Sequence, residues 1–454
     1  MTQRVVIIVD NPLRDLSGSL LIASDLSRFG CEVFLVEMYN QIFDITFLKP
    51  HLVLLNFVRN SNINNIKYYN SLGIKVAILD TEGAWSENLD RFSLSVLRKI
   101  KLVNISHYFL WGNKQFESII KNKANDKYIF SVTGNPRYDF CFGRLKKNLE
   151  PKKNYAPYFL INTRFPRSNP EYTNGENHEI LGMMTAGYSK NDAKAYLDQD
   201  KIAQKAMLRA ISDLAQRYPN FNFVVRPHPF ENIKTYQKSL IKKNIYIIKE
   251  GSSINWINSA ELLIHLNCTT AIESFFLNIP SANLKWLSHP ILDAPIAEEA
   301  STINALSYNQ LLKFIDNCLA KKKITQVLRK KNKVISFYSN TGKSSKLISK
   351  KIVAILKNNL QIKSNFSIYD DLKILTRLIL GFHLFNFLTY LLMPKLKRKR
   401  HGKAINLDYL NNLLIDINKS YYTPRGISFN IISENSLKFN WFASKKIIEI
   451  KQCT

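Results

Sequence analysis

Short apolar runs bounded by polar turn residues recur along the first 350 residues. In the first third of the chain, helix-like stretches separate the runs 5–9, 33–36, 52–56, 76–79 and 108–111. Runs of this length are typical of strands buried on both faces of a parallel sheet. A polar loop is predicted at 11–19, and a helix at 20–29 that Gly30 ends. The alternation predicts an open α/β sheet over residues 1–150.

A second series of the same kind follows a connector at 146–157 that contains Lys and Pro. It comprises a long helix at 202–218 and strands at 158–162, 221–225, 245–248, 262–266 and 281–284. The chain is therefore predicted to form two Rossmann-like α/β domains, at 1–150 and 155–350. Parallel sheets bind ligands at the carboxyl ends of their strands, so we expect the two sheet edges to face one another across a cleft.

The region 365–403 has a different composition. A strongly apolar run at 374–393 ends at Pro394, and a basic cluster follows at 395–403. Arg377 and His383 would be costly inside a bilayer, so we predict a helix lying in the membrane interface, secured on anionic lipid by the basic cluster. The alternative is a buried helix or helical hairpin. Residues 404–454 show a short amphipathic helix and β-like fragments, and their sequence suggests no role.

Charge and cysteine content narrow the choice of partners. Lys and Arg number 64 against 35 Asp and Glu, a formal net charge of +29. This excess favours an anionic membrane surface or anionic substrates over nucleic acid, for which no recognition motif is present. Five scattered cysteines without CxxC spacing indicate neither a disulfide framework nor a zinc site, so a reducing cytoplasm fits. The first strand begins within four residues, which leaves no room for a signal peptide.

Polar residues at two strand ends of the second domain favour an anionic ligand. Arg226 and His228 follow the strand 221–225, and Thr269 and Thr270 open the helix after the next predicted strand but one. A guanidinium and an imidazole provide cationic donors, and a helix start provides N–H groups, which together suit phosphate oxygens. Either cationic residue alone would be read as an ordinary strand-end side chain. Their combination with the second loop favours a phosphate cradle.

Three further residues are candidates for contacts with a nucleotide-activated donor. Asn162 ends the strand 158–162 and either faces the ligand or forms a turn. His265 is either a contact or a half-buried strand-end histidine. Glu273 either binds sugar hydroxyls or stabilises the dipole of its helix.

In the first domain, Glu82 follows the strand 76–79 and would lie at the carboxyl edge of the sheet. A carboxylate there could act as general base on an acceptor hydroxyl, and a surface or helix-capping role is the alternative. Arg14 and Asp15 are candidates for contacts with an acidic acceptor. Alone, they are also consistent with a simple ion pair.

Six short motifs occur in an order that resembles the bacterial surface carbohydrate biosynthesis family. That family is similar in its C-terminal half to capsule Kdo transferases and to CDP-glycerol glycerophosphotransferases. The motifs are Arg14-Asp15, Asp80-Thr81-Glu82-Gly83, Gly134-Asn135-Pro136-Arg137, Asn162-Thr163-Arg164-Phe165, Arg226-Pro227-His228-Pro229 and His265-Leu266-Asn267-Cys268-Thr269-Thr270-Ala271-Ile272-Glu273. The resemblance covers residues 3 to 350 and implies a GT-B glycosyltransferase fold, with the donor in the C-terminal domain and the acceptor in the N-terminal one. Thr81 and Arg164 depart from the family pattern, which more often has an acidic residue and Asn there.

The function predicted is a metal-independent transferase. It would move a sugar or polyol phosphate from a nucleotide-activated donor to a lipid-linked or polysaccharide acceptor, with no cofactor besides the donor. Arg226 and His228 would neutralise the leaving phosphate, and Glu82 would deprotonate the acceptor. The predicted location is cytoplasmic, peripheral to the inner face of the cell membrane. The alternatives are a non-hydrolysing nucleotide-sugar epimerase and a non-catalytic glycan- or lipid-binding protein on the same fold.

Overall fold

The computed structural model describes residues 2–38, 41–81, 89–122, 127–171, 175–185, 188–320, 328–357, 366–372, 375, 404–420, 426–434 and 446–453. The chain divides into two compact units. Unit 1 comprises Met1–Asn148 and Ile335–Thr454, and unit 2 comprises Leu149–Val334.

The strands in chain order are β1 (Arg4–Val9), β2 (Glu32–Glu37), β3 (Leu52–Leu55), β4 (Lys75–Leu79), β5 (His107–Leu110), β6 (Phe130–Val132), β7 (Tyr158–Asn162), β8 (Asn222–Arg226), β9 (Ile245–Ile247), β10 (Leu262–His265), β11 (Ser281–Asn283), β12 (Ile303–Asn304), β13 (Ile427–Glu434) and β14 (Lys446–Gln452). Each predicted strand lies within one residue of an observed one. The buried apolar side chains of most of these strands explain why the prediction holds, because a strand buried on both faces is a continuous apolar run. Strand β9 is an exception, with its side chains half-buried or exposed.

The helices are α1 (Pro12–Arg28), α2 (Gln41–Leu48), α3 (Ile63–Ser71), α4 (Leu89–Ile100), α5 (Asn113–Lys121), α6 (Gly143–Lys147), α7 (Glu176–Thr185), α8 (Lys190–Arg217), α9 (Ile233–Ser239), α10 (Ser253–Asn258), α11 (Thr270–Leu277), α12 (Pro295–Ala300), α13 (Tyr308–Leu319), α14 (Leu328–Phe337), α15 (Ser344–Lys357) and α16 (Leu407–Ser420). Short 3-10 turns occur at Lys127–Ile129, Pro136–Cys141, Lys153–Tyr155, Lys285–Leu287 and Pro290–Leu292. The predicted loop at 11–19 is wrong, because α1 already begins at Pro12. Proline at the first helical position is favourable, since its missing N–H would have no helical partner there.

The sheet of unit 1 has the strand order β13-β14-β2-β1-β3-β4-β5-β6. Strands β1 to β6 pair in parallel. Because β2 lies on one side of β1 and β3 on the other, the chain order reverses at β1. The polar residues that follow these strands therefore gather at the edge where α/β sheets bind their ligands.

Residues 404–454, for which the sequence suggested no role, extend this sheet. Strand β14 pairs antiparallel with β2, where Ile448 lies opposite Leu35, and β13 pairs antiparallel with β14. Helix α16 buries Leu410 and Ile417. The tail strands cover the edge of β2, which would otherwise present unpaired N–H and C=O groups.

The chain re-enters unit 1 at Ile335, inside the predicted limits 155–350 of the second domain. Asp139 is fully buried, and its carboxylate accepts from the backbone N–H groups of Ser344 (3.1 Å) and Ser345 (2.8 Å). These are the first residues of α15, whose N–H groups have no partner within the helix. The cap couples α15 to residues 1–148, so the observed division differs from the predicted boundary.

The Gly134-Asn135 motif forms the same junction. The Asn340 amide donates to the carbonyl of Asn135 (2.7 Å) and accepts from its N–H (3.1 Å). Gly134 has φ +78°, and a Cβ there would come within 2.6 Å of the Ser344 hydroxyl. Both the left-handed backbone and the close approach require glycine. The motif therefore has a structural role in unit 1.

The sheet of unit 2 is entirely parallel, with the order β12-β11-β10-β7-β8-β9. The chain order reverses between β10 and β7. Helix α8 packs on the sheet through buried Met207, Ile211 and Leu214, and these side chains share a core with Phe159 and Val225. Helix α8 is longer than the predicted 202–218 because Ser189 caps it, accepting from the N–H of Asp192 (3.0 Å).

Of the helices in the described ranges, none has the length and apolar character to cross a membrane. The apolar run 374–393 lies outside the described residues apart from Leu375, and so does the basic cluster 395–403. The interfacial helix predicted there stays a prediction.

Candidate functional site at the strand ends of unit 2

The last residues of five neighbouring strands form a polar row across the sheet of unit 2. In register, Asn304 lies beside Asn283 and Asn283 beside His265; His265 then lies beside Asn162, and Asn162 beside Arg226. The residues before them in the strands are mostly apolar and buried, so the row marks where the core ends. His265 and Asn162 flank the point where the strand order reverses. Open α/β sheets bind ligands at such a point.

The loop from β10 to α11 contacts the end of β7. The amide Nδ2 of Asn162 donates to the hydroxyl of Thr270 (3.0 Å), and this hydroxyl donates to the sulfur of Cys268 (3.2 Å). Thr269 precedes α11 as its N-cap and makes no side-chain capping hydrogen bond. The positive end of the helix dipole lies here. The structure therefore places Asn162 in contact with Thr270, next to Thr269 at the start of α11. Donor binding by these three residues stays a prediction.

His265 holds the turn before α11. Its ring is fully buried, Nδ1 accepts from the N–H of Cys268 (3.3 Å), and Nε2 lies 3.0 Å from the hydroxyl of Ser301. The Ser301 hydroxyl donates to the carbonyl of Ala297, so the ring N–H at Nε2 donates to Ser301. Burial, with a smaller contribution from the charge of Arg164, lowers the pKa of His265 to about 3. Both nitrogens of this neutral ring bind the protein, which favours the alternative of a strand-end histidine. A contact of His265 with the donor stays a prediction.

Arg226 and His228 follow each other at the end of β8. The Arg226 guanidinium donates to the carbonyl of Gly251 (2.7 Å) and lies over the ring of Trp256. The distance from its Cζ to the ring centroid is 5.5 Å. The ring of His228 is half-buried and accepts at Nδ1 from the N–H of Phe230 (3.2 Å). In the neutral imidazole, the proton is therefore on Nε2, which makes that nitrogen a donor. Phosphate binding by either residue stays a prediction.

Glu231 organises the loops around this site and is not among the residues predicted from the sequence. Its carboxylate is fully buried and accepts from the backbone N–H groups of Phe165 (2.8 Å) and His228 (3.0 Å). It also accepts from the hydroxyls of Thr163 (2.9 Å) and Tyr236. One side chain thus joins the loop after β7 to the loop after β8. The signal in the sequence was a carboxylate two residues after a proline-rich strand end.

Burial raises the pKa of Glu231 to about 7, although hydrogen bonds from Tyr236, Phe165, Thr163 and His228 oppose the shift. Four donors converge on the carboxylate, so the site has the hydrogen bonds that a buried charge requires. The carboxylate that titrates here is therefore the one that holds the backbone of both loops.

Arg164 joins the loop after β7 to two other loops. Its guanidinium donates to the carbonyls of Asn267 (3.2 Å) and Leu292 (2.9 Å) and to the hydroxyl of Tyr196 (2.9 Å). Asn267 has φ +47° and accepts at Oδ1 from the amide of Asn283 (3.0 Å). Arg164 therefore holds the turn before Thr269 in position. The family that the sequence resembles more often has Asn at this position.

Glu273 lies on α11 and is buried. Its carboxylate accepts from the hydroxyl of Ser253 (2.5 Å), which connects α11 to α10. This hydrogen bond gives Glu273 a structural role between the two helices. Binding of sugar hydroxyls by Glu273 stays a prediction.

Of the three candidate site residues in unit 1, the structure describes Arg14 and Asp15. Glu82 lies outside the described residues, so its proposed role as base stays a prediction. Arg14 donates to both carboxylate oxygens of Asp15, at 2.6 and 2.9 Å, and Asp15 also accepts from the N–H of Asn11 (3.1 Å). This ion pair is the alternative stated for these residues above, and contact with an acceptor stays a prediction. The same guanidinium lies 3.4 Å from Asp10, which follows β1.

Metal binding has no geometric support in the part of the chain that the structure describes. There, no group of three His, Cys, Asp or Glu side chains is arranged to hold an ion. The expectation of a metal-independent reaction stays a prediction.

Comparisons with known proteins identify the fold. No family model matches the chain. No curated protein matches it either. Among solved structures, the UDP-GlcNAc 2-epimerase of Methanocaldococcus jannaschii in complex with UDP-GlcNAc and UDP is similar at a TM-score of 0.50 and 14% identity, covering 78% of this chain and 100% of that one. S. aureus MnaA, in a co-structure with UDP, is similar at a TM-score of 0.51 and 11% identity, covering 81% and 100%.

These likenesses establish the class of fold. The protein has a two-domain α/β fold with parallel sheets of the GT-B type, as the sequence predicted.

Proposed function

We propose that the protein is an enzyme that acts on a nucleotide-activated sugar, which unit 2 binds at the carboxyl ends of β7, β8 and β10. The observation that carries the proposal is the contact between Asn162 and Thr270 at the point where the strand order reverses. Polar groups and a helix start converge there, where α/β sheets bind nucleotides. The solved neighbours named above are complexes with UDP or UDP-GlcNAc, which supports a nucleotide sugar as the ligand.

In this proposal, the start of α11 binds the phosphates through Thr269 and Thr270. Arg226 and His228 add cationic or N–H donors from the neighbouring strand end, and Glu273 binds hydroxyls of the ligand. Phosphate charge is thus neutralised without a metal ion. Glu231 acts indirectly, since it sets the backbone of the loop that carries His228.

Two reactions of this class have separate support. The likeness to UDP-GlcNAc 2-epimerases favours epimerisation, in which one carbon of the sugar in a nucleotide sugar is inverted. The order of the six sequence motifs favours transfer of a sugar or polyol phosphate to a lipid-linked or polysaccharide acceptor, as in the Kdo and CDP-glycerol transferases. Glu82 is the proposed base for transfer, and the protein would act in surface polysaccharide synthesis at the inner face of the membrane. The fold comparison gives epimerisation at least equal support.

The first experiment tests the binding site. Purified protein is mixed with UDP-, GDP-, CMP- and CDP-activated sugars, and thermal stabilisation is measured. We expect one class to stabilise the protein, and Thr270→Val, which removes the hydroxyl at nearly constant volume, to weaken that effect. Thr341→Val, at an exposed position in unit 1, is the matched control. If none of the four donor classes stabilises the protein, the proposal is overturned.

The second experiment separates the two reactions. The protein is incubated with UDP-GlcNAc in D₂O without an acceptor, and the products are followed by proton NMR. Epimerisation predicts a second UDP-sugar with deuterium at the inverted carbon. Transfer predicts an unchanged donor until a lipid-linked glycan is added, and then nucleotide release in proportion to the glycan extended.

A further inference from the structure

An exposed apolar face lies on a short helical segment of unit 1, just before the apolar run of the sequence. Residues 368–372 are helical, and Ile368 and Tyr369 are 76% and 74% exposed. Leu372 and Leu375 are 51% and 50% exposed. Positions 368 and 372 share one face of this helix by their spacing. Large apolar side chains grouped in this way on a surface indicate an interaction site.

The opposite side of this segment is fixed to unit 1. Asp370 is buried and accepts from the hydroxyl of Tyr68 (2.6 Å) and from the N–H of Ser367 (2.9 Å). Asp371 pairs with the ammonium of Lys49 (2.7 Å). The acidic side chains therefore hold the segment against unit 1 while the apolar side chains are directed outward.

The described residues on either side of 376–403 make contacts at opposite ends of α2. Lys49, which binds Asp371, directly follows α2. At the other end, Gln41 donates to the carbonyl of Met38 (3.0 Å), close to Glu37, whose carboxylate accepts from the N–H of Ile405 (2.8 Å). A helix of eight residues is about 12 Å long. Both attachment points therefore lie on one side of unit 1.

We propose that this side of unit 1, through Ile368, Tyr369, Leu372 and Leu375, docks on an anionic lipid bilayer. The sequence that starts and ends at these attachment points combines an apolar run with six Lys or Arg among residues 395–403, in a chain of net charge +29. Apolar side chains that enter the interface, next to basic residues that attract anionic headgroups, are the features by which peripheral proteins bind membranes. The surface rests on the proposed membrane location and is independent of the reaction catalysed.

The test is flotation of the full-length protein with vesicles of phosphatidylcholine alone or mixed with phosphatidylglycerol. We expect binding to the mixed vesicles only, weakened by added salt. The double variant Ile368→Ser/Tyr369→Ser should bind at least about tenfold more weakly than the wild type, because it lacks two side chains that would enter the interface. The control Ile241→Ser/Tyr128→Ser changes the same residue types at 84% and 80% exposure and should bind like the wild type.

Three outcomes would overturn this docking surface. They are vesicle binding by Ile368→Ser/Tyr369→Ser equal to wild type, equal binding of the wild type to neutral and mixed vesicles, and a dimer without lipid that the double variant converts to monomer. The last would show that a second copy covers the face. Thermal stabilisation by the nucleotide sugar, measured on the same variants, reports on the proposed function separately.

Discussion

Replacement of Glu231 tests whether one buried carboxylate organises the candidate site. In the Glu231→Ala variant, the N–H groups of Phe165 and His228 lose their acceptor inside the protein. A buried group left without a partner costs about 1–3 kcal/mol, so the two groups together cost about 2–6 kcal/mol. The hydroxyls of Thr163 and Tyr236 are 3.1 Å apart and can bond each other, so they add little.

Glu231→Gln is the matched variant. Its amide oxygen can still accept from the two N–H groups, while its amide nitrogen faces the two hydroxyls, which can rotate to accept. We expect it to cost about 1 kcal/mol, the difference between a charged and a neutral acceptor. Because the loop of His228 keeps its geometry, affinity for the nucleotide sugar should fall in Glu231→Ala and be largely retained in Glu231→Gln.

The same pair of variants tests the ionisation of Glu231. Burial raises the pKa of this carboxyl from 4.5 to about 7 in the folded protein. The folded state therefore binds the proton more tightly than the unfolded state. The stabilisation is complete below about pH 4.5 and is lost as the pH rises to about 7, on the order of 1 kcal/mol per pH unit. Glu231→Gln lacks this dependence.

The assay is urea unfolding followed by tryptophan fluorescence at pH 5 and pH 8, since Trp256 and Trp286 both lie in unit 2. We expect the stability difference between wild type and Glu231→Gln to shift in favour of the glutamine variant at pH 8. Thermal stabilisation by the nucleotide sugar is measured in parallel. Wild-type stability and affinity in Glu231→Ala, or the same pH dependence in wild type and Glu231→Gln, would refute the reasoning.

Three further predictions concern single positions. Arg226→Ala should weaken nucleotide binding by about tenfold or more in a titration, because a charge-assisted contact contributes about 1.5–3 kcal/mol, and Arg209→Ala, on the exposed side of α8, should not. Glu82→Gln should lower turnover about 10²–10⁴-fold at unchanged donor affinity, as expected for loss of a general base; near wild-type turnover would place the base elsewhere. Gly112→Ala should destabilise unit 1 by about 1–3 kcal/mol or more in thermal unfolding, because its Cβ would overlap the carbonyl that ends α14. Gly182→Ala on α7 should be neutral or stabilising, because the nearest atom to its Cβ would be Nη1 of Arg167 at 3.5 Å.

The amino-acid sequence by itself determined the strands and the polar residues that end them. A strand buried on both faces must be apolar throughout, so β1 and β7 are visible as runs of Val, Ile, Leu and Phe. The polar residue that ends such a run marks the edge of the sheet, which is why Asn162 and Arg226 could be chosen without a structure. These properties are local, and a few neighbouring residues carry them.

Only the tertiary structure decided which of these side chains are available and what the tail does. His265 and Asn162 are in register at the same sheet edge, yet both ring nitrogens of His265 are hydrogen-bonded, to Cys268 and Ser301. Burial and hydrogen bonding depend on segments far apart in the chain. The same reason applies to Glu231, whose donors come from two loops, and to β14, whose pairing with β2 spans more than 400 residues. Hydrogen-bond partners across such distances are set by packing, which the local pattern of residues does not contain.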